Sequence, residues 1–194
     1  MKAAIRGGTE GFSIKMSDLP SKELILVLGG TRSGKSSWAL HYTEAQYRSR
    51  LFIATARALD EEMAERIRLH KSSRGPDWQL VEEPIEISKA LRTRCGDVEA
   101  VLIDCLTVWL SNVLLEKGDQ KIEPYQDDLL ETLSAREQTI VVVSNEVGMS
   151  IVPENPLGRK FRDLSGQINQ KIATMADKVI FLTAGLPMYL KGAP

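Results

Sequence analysis

The sequence predicts an α/β fold, a mostly parallel central sheet flanked by helices, on three observations. Short apolar runs rich in Val, Ile and Leu recur along the chain, segments with helical spacing separate them, and a glycine-rich turn follows the first run directly. The runs do not alternate apolar with polar residues, as strands covered on both faces do not. Helices between such strands imply right-handed parallel crossovers.

In chain order, residues 1–21 mix Gly, Ser, Lys and Pro without periodicity, and Met16 stands shortly before the first run. They read as a flexible N-terminal extension, with residues 22–194 as one catalytic domain. Strands are expected at LILVL (24–28), LFIAT (51–55), AVLID (100–104), TIVVVSN (139–145) and KVIFLTAG (178–185), and helices at about 35–48, 60–71, 85–94, 106–116, 125–137 and 158–176. SSRGPDW (72–78) and VGMSIVPENPLG (147–158) carry the Gly, Pro, Ser and Asn clusters of loops. Both follow elements that approach one end of the sheet, which makes them candidate site loops.

Bulk properties narrow the function classes. At 194 residues and 43% hydrophobic content, the chain suits a single core. With 25 basic against 26 acidic residues, no net field attracts nucleic acid or an anionic membrane surface, so an anion must be held by a local site. Cys95 and Cys105 are the only cysteines and complete no zinc ligand set. They read as reduced thiols of a cytoplasmic protein. No apolar run approaches the roughly 20 residues of a membrane span, and no secretory signal is apparent.

GGTRSGKS at 29–36 matches the phosphate-binding loop G-x-x-x-x-G-K-S, with a strand before it and a helical pattern after it. This refines the fold to a P-loop NTPase of the RecA-like kind that binds GTP or ATP. Gly29 and Gly34 let the chain turn tightly, so that the amides of Gly30, Thr31, Arg32 and Ser33 face one concave nest at a helix N-terminus. Lys35 reaches the outer phosphates, and the Ser36 hydroxyl is a candidate Mg²⁺ ligand. Asp104, at the end of AVLID, either meets that Mg²⁺ or caps the helix beginning near Leu106.

The two histidines differ. His41, inside the helix after the phosphate loop, reads as a surface or packing residue. His70 shares a helix face with Met63 and Ile67 and is followed by Lys71 and Arg74. Spacing leaves two readings open. One is a structural histidine stabilised by a helix C-terminus; the other is a neutral imidazole that attacks phosphorus while Lys and Arg neutralise a departing pyrophosphate.

The chain resembles the bifunctional adenosylcobinamide kinase and adenosylcobinamide-phosphate guanylyltransferase family of cobalamin biosynthesis, from about Leu24 to Lys191. The resemblance rests on LVLGGTRSGKS, on IATARALDEEMAERIRLHKSSRG with Trp78 and Glu82 beyond it, on VLIDCLTVWLSN, and above all on VSNEVGMSIVPENPLGRKFRDLSGQINQ. It implies two reactions: phosphorylation of adenosylcobinamide by ATP or GTP, then transfer of GMP from GTP to adenosylcobinamide phosphate through a guanylylated histidine. The matching histidine is His70. Nucleotide contacts are implied for Gly29 through Ser36, Ala54, Thr55, Ala56, Lys71, Ser72, Ser73, Arg74, Glu82 and Asp104, with Lys35 stabilising the leaving pyrophosphate. A homo-oligomer, a trimer, is implied as well. The chain departs from the family at Ser150, where Gly is frequent, and at Thr31, where Ala is common.

Asp104 and Glu146 are both open as the kinase general base. Asn145, Glu146, Arg159 and Arg162 either approach the corrinoid or its phosphate, or form a solvated helix start in which Asp163 pairs locally. Two rival functions keep the phosphate loop: a small-molecule kinase without nucleotidyl transfer, and a nucleotide-dependent binding module.

Overall fold

The computed structural model describes residues 22–58, 61, 64, 65, 68, 75 and 77–193. Among them, one sheet contains β1 (Leu24–Gly29), β2 (Arg50–Ala54), β3 (Trp78–Glu82), β4 (Ala100–Asp104), β5 (Thr139–Asn145), β6 (Lys178–Thr183) and β7 (Leu186–Lys191). Their spatial order is β3-β2-β4-β5-β1-β6-β7. All neighbouring pairs are parallel except β6 with β7. The carboxyl ends of β1 to β6 therefore share one edge of the sheet, where open α/β sheets bind their ligands.

The helices are α1 (Lys35–Gln46), α2 (Ile87–Arg94), α3 (Leu106–Lys117), α4 (Ile122–Ser134) and α5 (Pro156–Met175). α1 packs Ala39 and Leu40 against Ile25, Val27, Val141, Val143 and Leu102 on one face of the sheet. α2 to α5 cover the other face, burying Ile87, Leu91, Trp109, Leu129, Leu133, Ile168 and Ile172 against Leu24, Leu26, Ile103, Ile140 and Val142. The central strands β1 and β4 are buried along nearly their whole length, which is why their sequences read as unbroken apolar runs. Trp109 is fully buried and donates its indole N–H to the Ile85 carbonyl at 2.7 Å, so its one polar atom is satisfied inside the core.

The expected strands are present, as are the expected helices other than the one at 60–71, most of which lies outside the described residues, and two strands are added. The segment expected as one strand over 178–185 stops at Thr183, turns at Ala184 and Gly185, and returns as antiparallel β7. Both turn residues have positive φ, 51° and 81°, as a two-residue hairpin turn demands. Pro187 is tolerated in β7 because that strand is the sheet edge. β3 is the opposite edge, largely exposed, and lacks the apolar run that marks its neighbours. α5 begins two residues earlier than expected because the Asn155 side chain accepts the Gly158 N–H at 2.6 Å and Pro156 fills the first turn. α4 also begins early, with Pro124 in a first turn where a missing N–H costs no hydrogen bond. Of the helix expected at 60–71, the described residues Glu61, Ala64, Glu65 and Arg68 are helical.

Candidate active site at the carboxyl edge of the sheet

β1 delivers the chain to Gly29, where the strand gives way to the phosphate loop. A Cβ at Gly29 would lie 2.5 Å from Ser33 Oγ and 2.7 Å from the Leu182 carbonyl oxygen, so only glycine lets loop and β6 approach this closely. The loop closes through the Ser33 N–H to the Gly30 carbonyl at 3.2 Å. Gly34, at φ 91°, turns the chain into α1, whose first turn has neither a side-chain cap nor an acidic residue. Its N–H groups and the positive end of the helix dipole thus face the mouth without an internal anion. From behind, the β6–β7 turn braces the loop: the Gly185 N–H donates to the Ser33 carbonyl at 2.9 Å, and a Cβ at Gly34 would meet Gly185 Cα at 3.2 Å. The Ser33 hydroxyl is buried and has no hydrogen-bond partner among the described residues.

Lys35 is buried, and its Nζ donates to the Gly30 carbonyl at 3.0 Å. Burial pushes its pKa below the ordinary lysine range, while Cys105 and Asp104 oppose that shift. The Cys105 thiol, itself raised to about 12 by burial, is neutral at ordinary pH, so Asp104 supplies the counter-charge. Ser36 follows, half-buried, in the first turn of α1.

Strand register places Glu82, Ala54 and Asp104 side by side across β3, β2 and β4. Ala56 lies just beyond the sheet, half-buried. Thr55 is fully buried and fastens β2 to β4: its hydroxyl donates to the Cys105 carbonyl and accepts the Cys105 N–H, both at 2.8 Å. Its own N–H donates to the Asp104 carbonyl at 3.1 Å, and its carbonyl accepts from Asn112 Nδ2 at 2.9 Å. This register fixes where Asp104 stands. Cys95, like Cys105, is a buried free thiol, raised to about 11 by burial.

At the tip of β5, between the strands carrying the phosphate loop and Asp104, a buried polar network holds the backbone in place. Thr107 Oγ1 accepts the Asn145 N–H at 2.7 Å and lies 3.1 Å from Ser144 Oγ, which donates to Asn169 Oδ1 at 2.7 Å. Asn169 Nδ2 returns a bond to the Asn145 carbonyl at 3.1 Å, and the Glu146 N–H donates to the Gly29 carbonyl at 3.1 Å. Asn145 Oδ1, alone in this group, is buried without a partner among the described residues. Glu146 accepts the Gly148 N–H at 3.0 Å, which turns its carboxylate into its own loop.

The other sequence candidates fare differently. Arg159 donates to the carbonyls of Pro153 (3.1 Å) and Glu154, so it shapes the loop rather than pairing with Asp163. Arg162 is half-buried, lines a cleft, and makes no hydrogen bond or ion pair with a described residue. His41 sits exposed on α1, its Nδ1 2.8 Å from the Ser37 carbonyl, a helix-surface residue as expected. His70, Lys71, Ser72, Ser73 and Arg74 lie outside the described residues. Thr107, Ser144 and Asn169 escape sequence reasoning, although the VSN at the end of β5 hinted at polar work at that tip.

Comparison with known proteins places this arrangement. The family described as cobinamide kinase / cobinamide phosphate guanyltransferase matches residues 25–190. A bifunctional adenosylcobalamin biosynthesis protein, CobP, of Pseudomonas aeruginosa is 41% identical over 169 residues, covering 87% of this chain and 98% of that protein. Proteins of the same description named CobU, from Salmonella typhimurium and Escherichia coli, are 38% and 36% identical, each covering 87% of this chain and 99% of its counterpart. Among solved structures, an ATPase from the type III secretion system of pathogenic bacteria superposes with a TM-score of 0.53 at 11% identity, over 84% of this chain and 51% of that one. That likeness is one of fold alone.

Proposed function

This chain belongs to the cobinamide kinase / cobinamide phosphate guanyltransferase family, and from that premise we propose that it carries out both reactions at the carboxyl edge of its sheet. It phosphorylates the aminopropanol hydroxyl of adenosylcobinamide with ATP or GTP, then transfers GMP from GTP to the resulting phosphate. The products are adenosylcobinamide-GDP and pyrophosphate. The observation that carries this reading is the phosphate loop itself: a desolvated Lys35, a helix N-terminus without a side-chain cap and a Ser33 hydroxyl without a partner among the described residues converge on one mouth.

In the kinase step, the loop amides and Lys35 hold the triphosphate while the acceptor hydroxyl attacks the γ-phosphorus and the nucleoside diphosphate leaves. In the transferase step, a neutral ring nitrogen of His70 attacks the α-phosphorus of GTP, forming a P–N bond as the bond to pyrophosphate breaks. Lys35 and the loop amides receive the charge that develops on pyrophosphate. The phosphate oxygen of the acceptor then attacks the same phosphorus, and the P–N bond breaks. Two displacements predict net retention at that phosphorus.

Ser36 and Asp104 would hold Mg²⁺, which, when bound, neutralises phosphate charge during transfer. They suit it: both are oxygen donors, and the Asp104 carboxylate is near enough to act on Lys35, the residue before Ser36. No cluster of three or more His, Cys, Asp or Glu exists among the described residues, so the remaining ligands would be phosphate oxygens and water. Ala54, Ala56 and Glu82 would meet the nucleoside, a role supported by their position at the same edge of the sheet. Thr55 would act by holding the β2 and β4 tips in register, since its hydroxyl and backbone groups are already bonded.

A homo-oligomer, a trimer, is part of this reading. Leu186, Met188 and Leu190 stand exposed on edge strand β7, a surface that a second copy would cover; light scattering that finds only a monomer at assay concentration would count against it. No helix among the described residues is long and apolar enough to cross a membrane, and a cytoplasmic enzyme is proposed. The test of the function is to incubate the protein with adenosylcobinamide, GTP and Mg²⁺ and to follow the corrinoids chromatographically. The phosphate ester should appear first and the GDP ester after it. Nucleotide hydrolysis with the corrinoid unchanged would overturn the assignment.

A further inference from the structure

A cleft of about 500 Å³ opens between the loop after β5 and α5, lined by Leu28, Glu146, Gly148, Arg162, Gly166 and Gln167 among others. Leu28 immediately precedes Gly29, and Glu146 is bonded to Gly29 through its N–H, so the cleft abuts the strand that carries the phosphate loop. It lies on the sheet face opposite α1, since Leu28 belongs to the core packed by α5.

Three features say what such a cleft would take. Arg162 is half-buried there without an internal partner, unlike Arg159, one turn earlier, which is committed to loop carbonyls. A planar guanidinium partly withdrawn from water without an acceptor favours an anion that offers it two oxygens, such as phosphate. The carboxylates at the cleft do not fill that role: Glu146 turns to the Gly148 N–H, and Asp163 is exposed at the rim. Next along the chain, Met149, Ile151 and Val152, on the loop that also supplies Gly148 to the cleft wall, and Leu157, in the first turn of α5, are all exposed, Ile151 at 92%, giving a broad apolar bank. An acceptor with a bulky apolar body and an arm ending in a phosphate matches this combination.

We infer that this cleft is the acceptor site and that Arg162 grips the phosphate of the phosphorylated acceptor, so that it serves guanylyl transfer more than phosphorylation. The inference rests on the two-reaction reading and adds an asymmetry to it. In the kinase step the acceptor arm ends in a neutral hydroxyl; in the transfer step it ends in a phosphate anion. One arginine in one cleft therefore favours the second acceptor over the first. Gly166 permits close entry: a Cβ there would meet nothing within 4 Å, so the space beside the helix is open.

The test uses the full chain and the two acceptors separately, adenosylcobinamide and adenosylcobinamide phosphate, with GTP and Mg²⁺. Arg162→Gln should raise KM for the phosphorylated acceptor about tenfold or more, and KM for the hydroxyl acceptor several times less, with Arg162→Lys recovering part of the difference. Gly166→Leu, which places a side chain in open space without disturbing the core, should raise KM for both acceptors while GTP affinity of the free enzyme is kept. Equal effects of Arg162→Gln on the two acceptors, no effect on either, or normal acceptor KM values in Gly166→Leu would overturn the inference. Failure of the wild type to turn over either acceptor would instead overturn the two-reaction reading, and this inference with it.

Discussion

The two sides of the mouth are built on opposite principles. On the α1 side the backbone of the phosphate loop is held: Gly29 is pinned between Ser33 and β6, Gly185 braces the loop from behind, and Lys35 is buried against the Gly30 carbonyl. On the α5 side, the loop after β5 leaves Met149, Ile151 and Val152 in solvent and Arg162 without a described partner. A triphosphate has the same shape in every turnover and rewards a rigid cradle. An acceptor that enters once as an alcohol and once as a phosphate rewards a side that keeps its contacts unspent.

The harshest break of the rigid side is Lys35→Ala. Loss of the buried cation should lower kcat/KM of both reactions by about 100-fold or more, since in the proposed mechanism it meets the charge transferred in each. Folding stability should hold or rise, because a desolvated ammonium is removed. Calorimetric GTP titration and a thermal melt on one sample would read both. Gly29→Ala attacks the same side through shape. The new methyl meets the Leu182 carbonyl, a backbone atom that cannot yield locally, so a loss of about 1–3 kcal/mol in chemical denaturation is expected, with weaker GTP binding.

Thr55→Val sharpens the comparison by loosening the scaffold without touching the loop. Both bonds to Cys105 are lost; its carbonyl keeps the Trp109 N–H but its buried N–H is left unpaired, for about 1–3 kcal/mol, seen as a lower urea midpoint at unchanged slope. Smaller effects separate two kinds of unpartnered oxygen. Ser165→Ala, on the buried face of α5, should change stability by less than about 1 kcal/mol, in the stabilising direction, with activity intact. Asn145→Ala, at the mouth, should cost equally little stability yet slow turnover, because its orphan oxygen stands at the strand tip next to Gly29, where the proposed reactions run. The smallest effect is protonic. Free Lys35 is depressed by burial, and a bound polyphosphate favours its charged form, so GTP binding at alkaline pH should take up protons, measurable by calorimetry in buffers of different ionisation enthalpy.

What was legible in the sequence was what is local. The phosphate loop is eight consecutive residues whose strand and helix announce themselves, and the central strands are apolar because both their faces are covered. The edge strands were not legible: β3 is largely solvent-exposed, and β7 carries Pro187 and follows a turn built on Ala184 and Gly185 rather than on a typical turn pair. Nor was the division of labour within the site. That Thr55 is spent on Cys105, fifty residues away, or that Asn169 holds the β5 tip, follows from strand register and helix placement that no short window contains. Arg159 and Arg162 look alike in sequence, three residues apart on one helix; loop carbonyls engage the first and leave the second to the cleft.

The central claim, that nucleotidyl transfer passes through His70, is tested most directly by intact-protein mass spectrometry after incubation with GTP and Mg²⁺ without corrinoid, using α- and γ-labelled nucleotide in parallel. The account predicts a guanylyl adduct that carries only the α label in the wild type and is absent from His70→Ala. An unmodified wild-type protein that still binds GTP and phosphorylates the corrinoid would contradict it, leaving a kinase with a structural histidine.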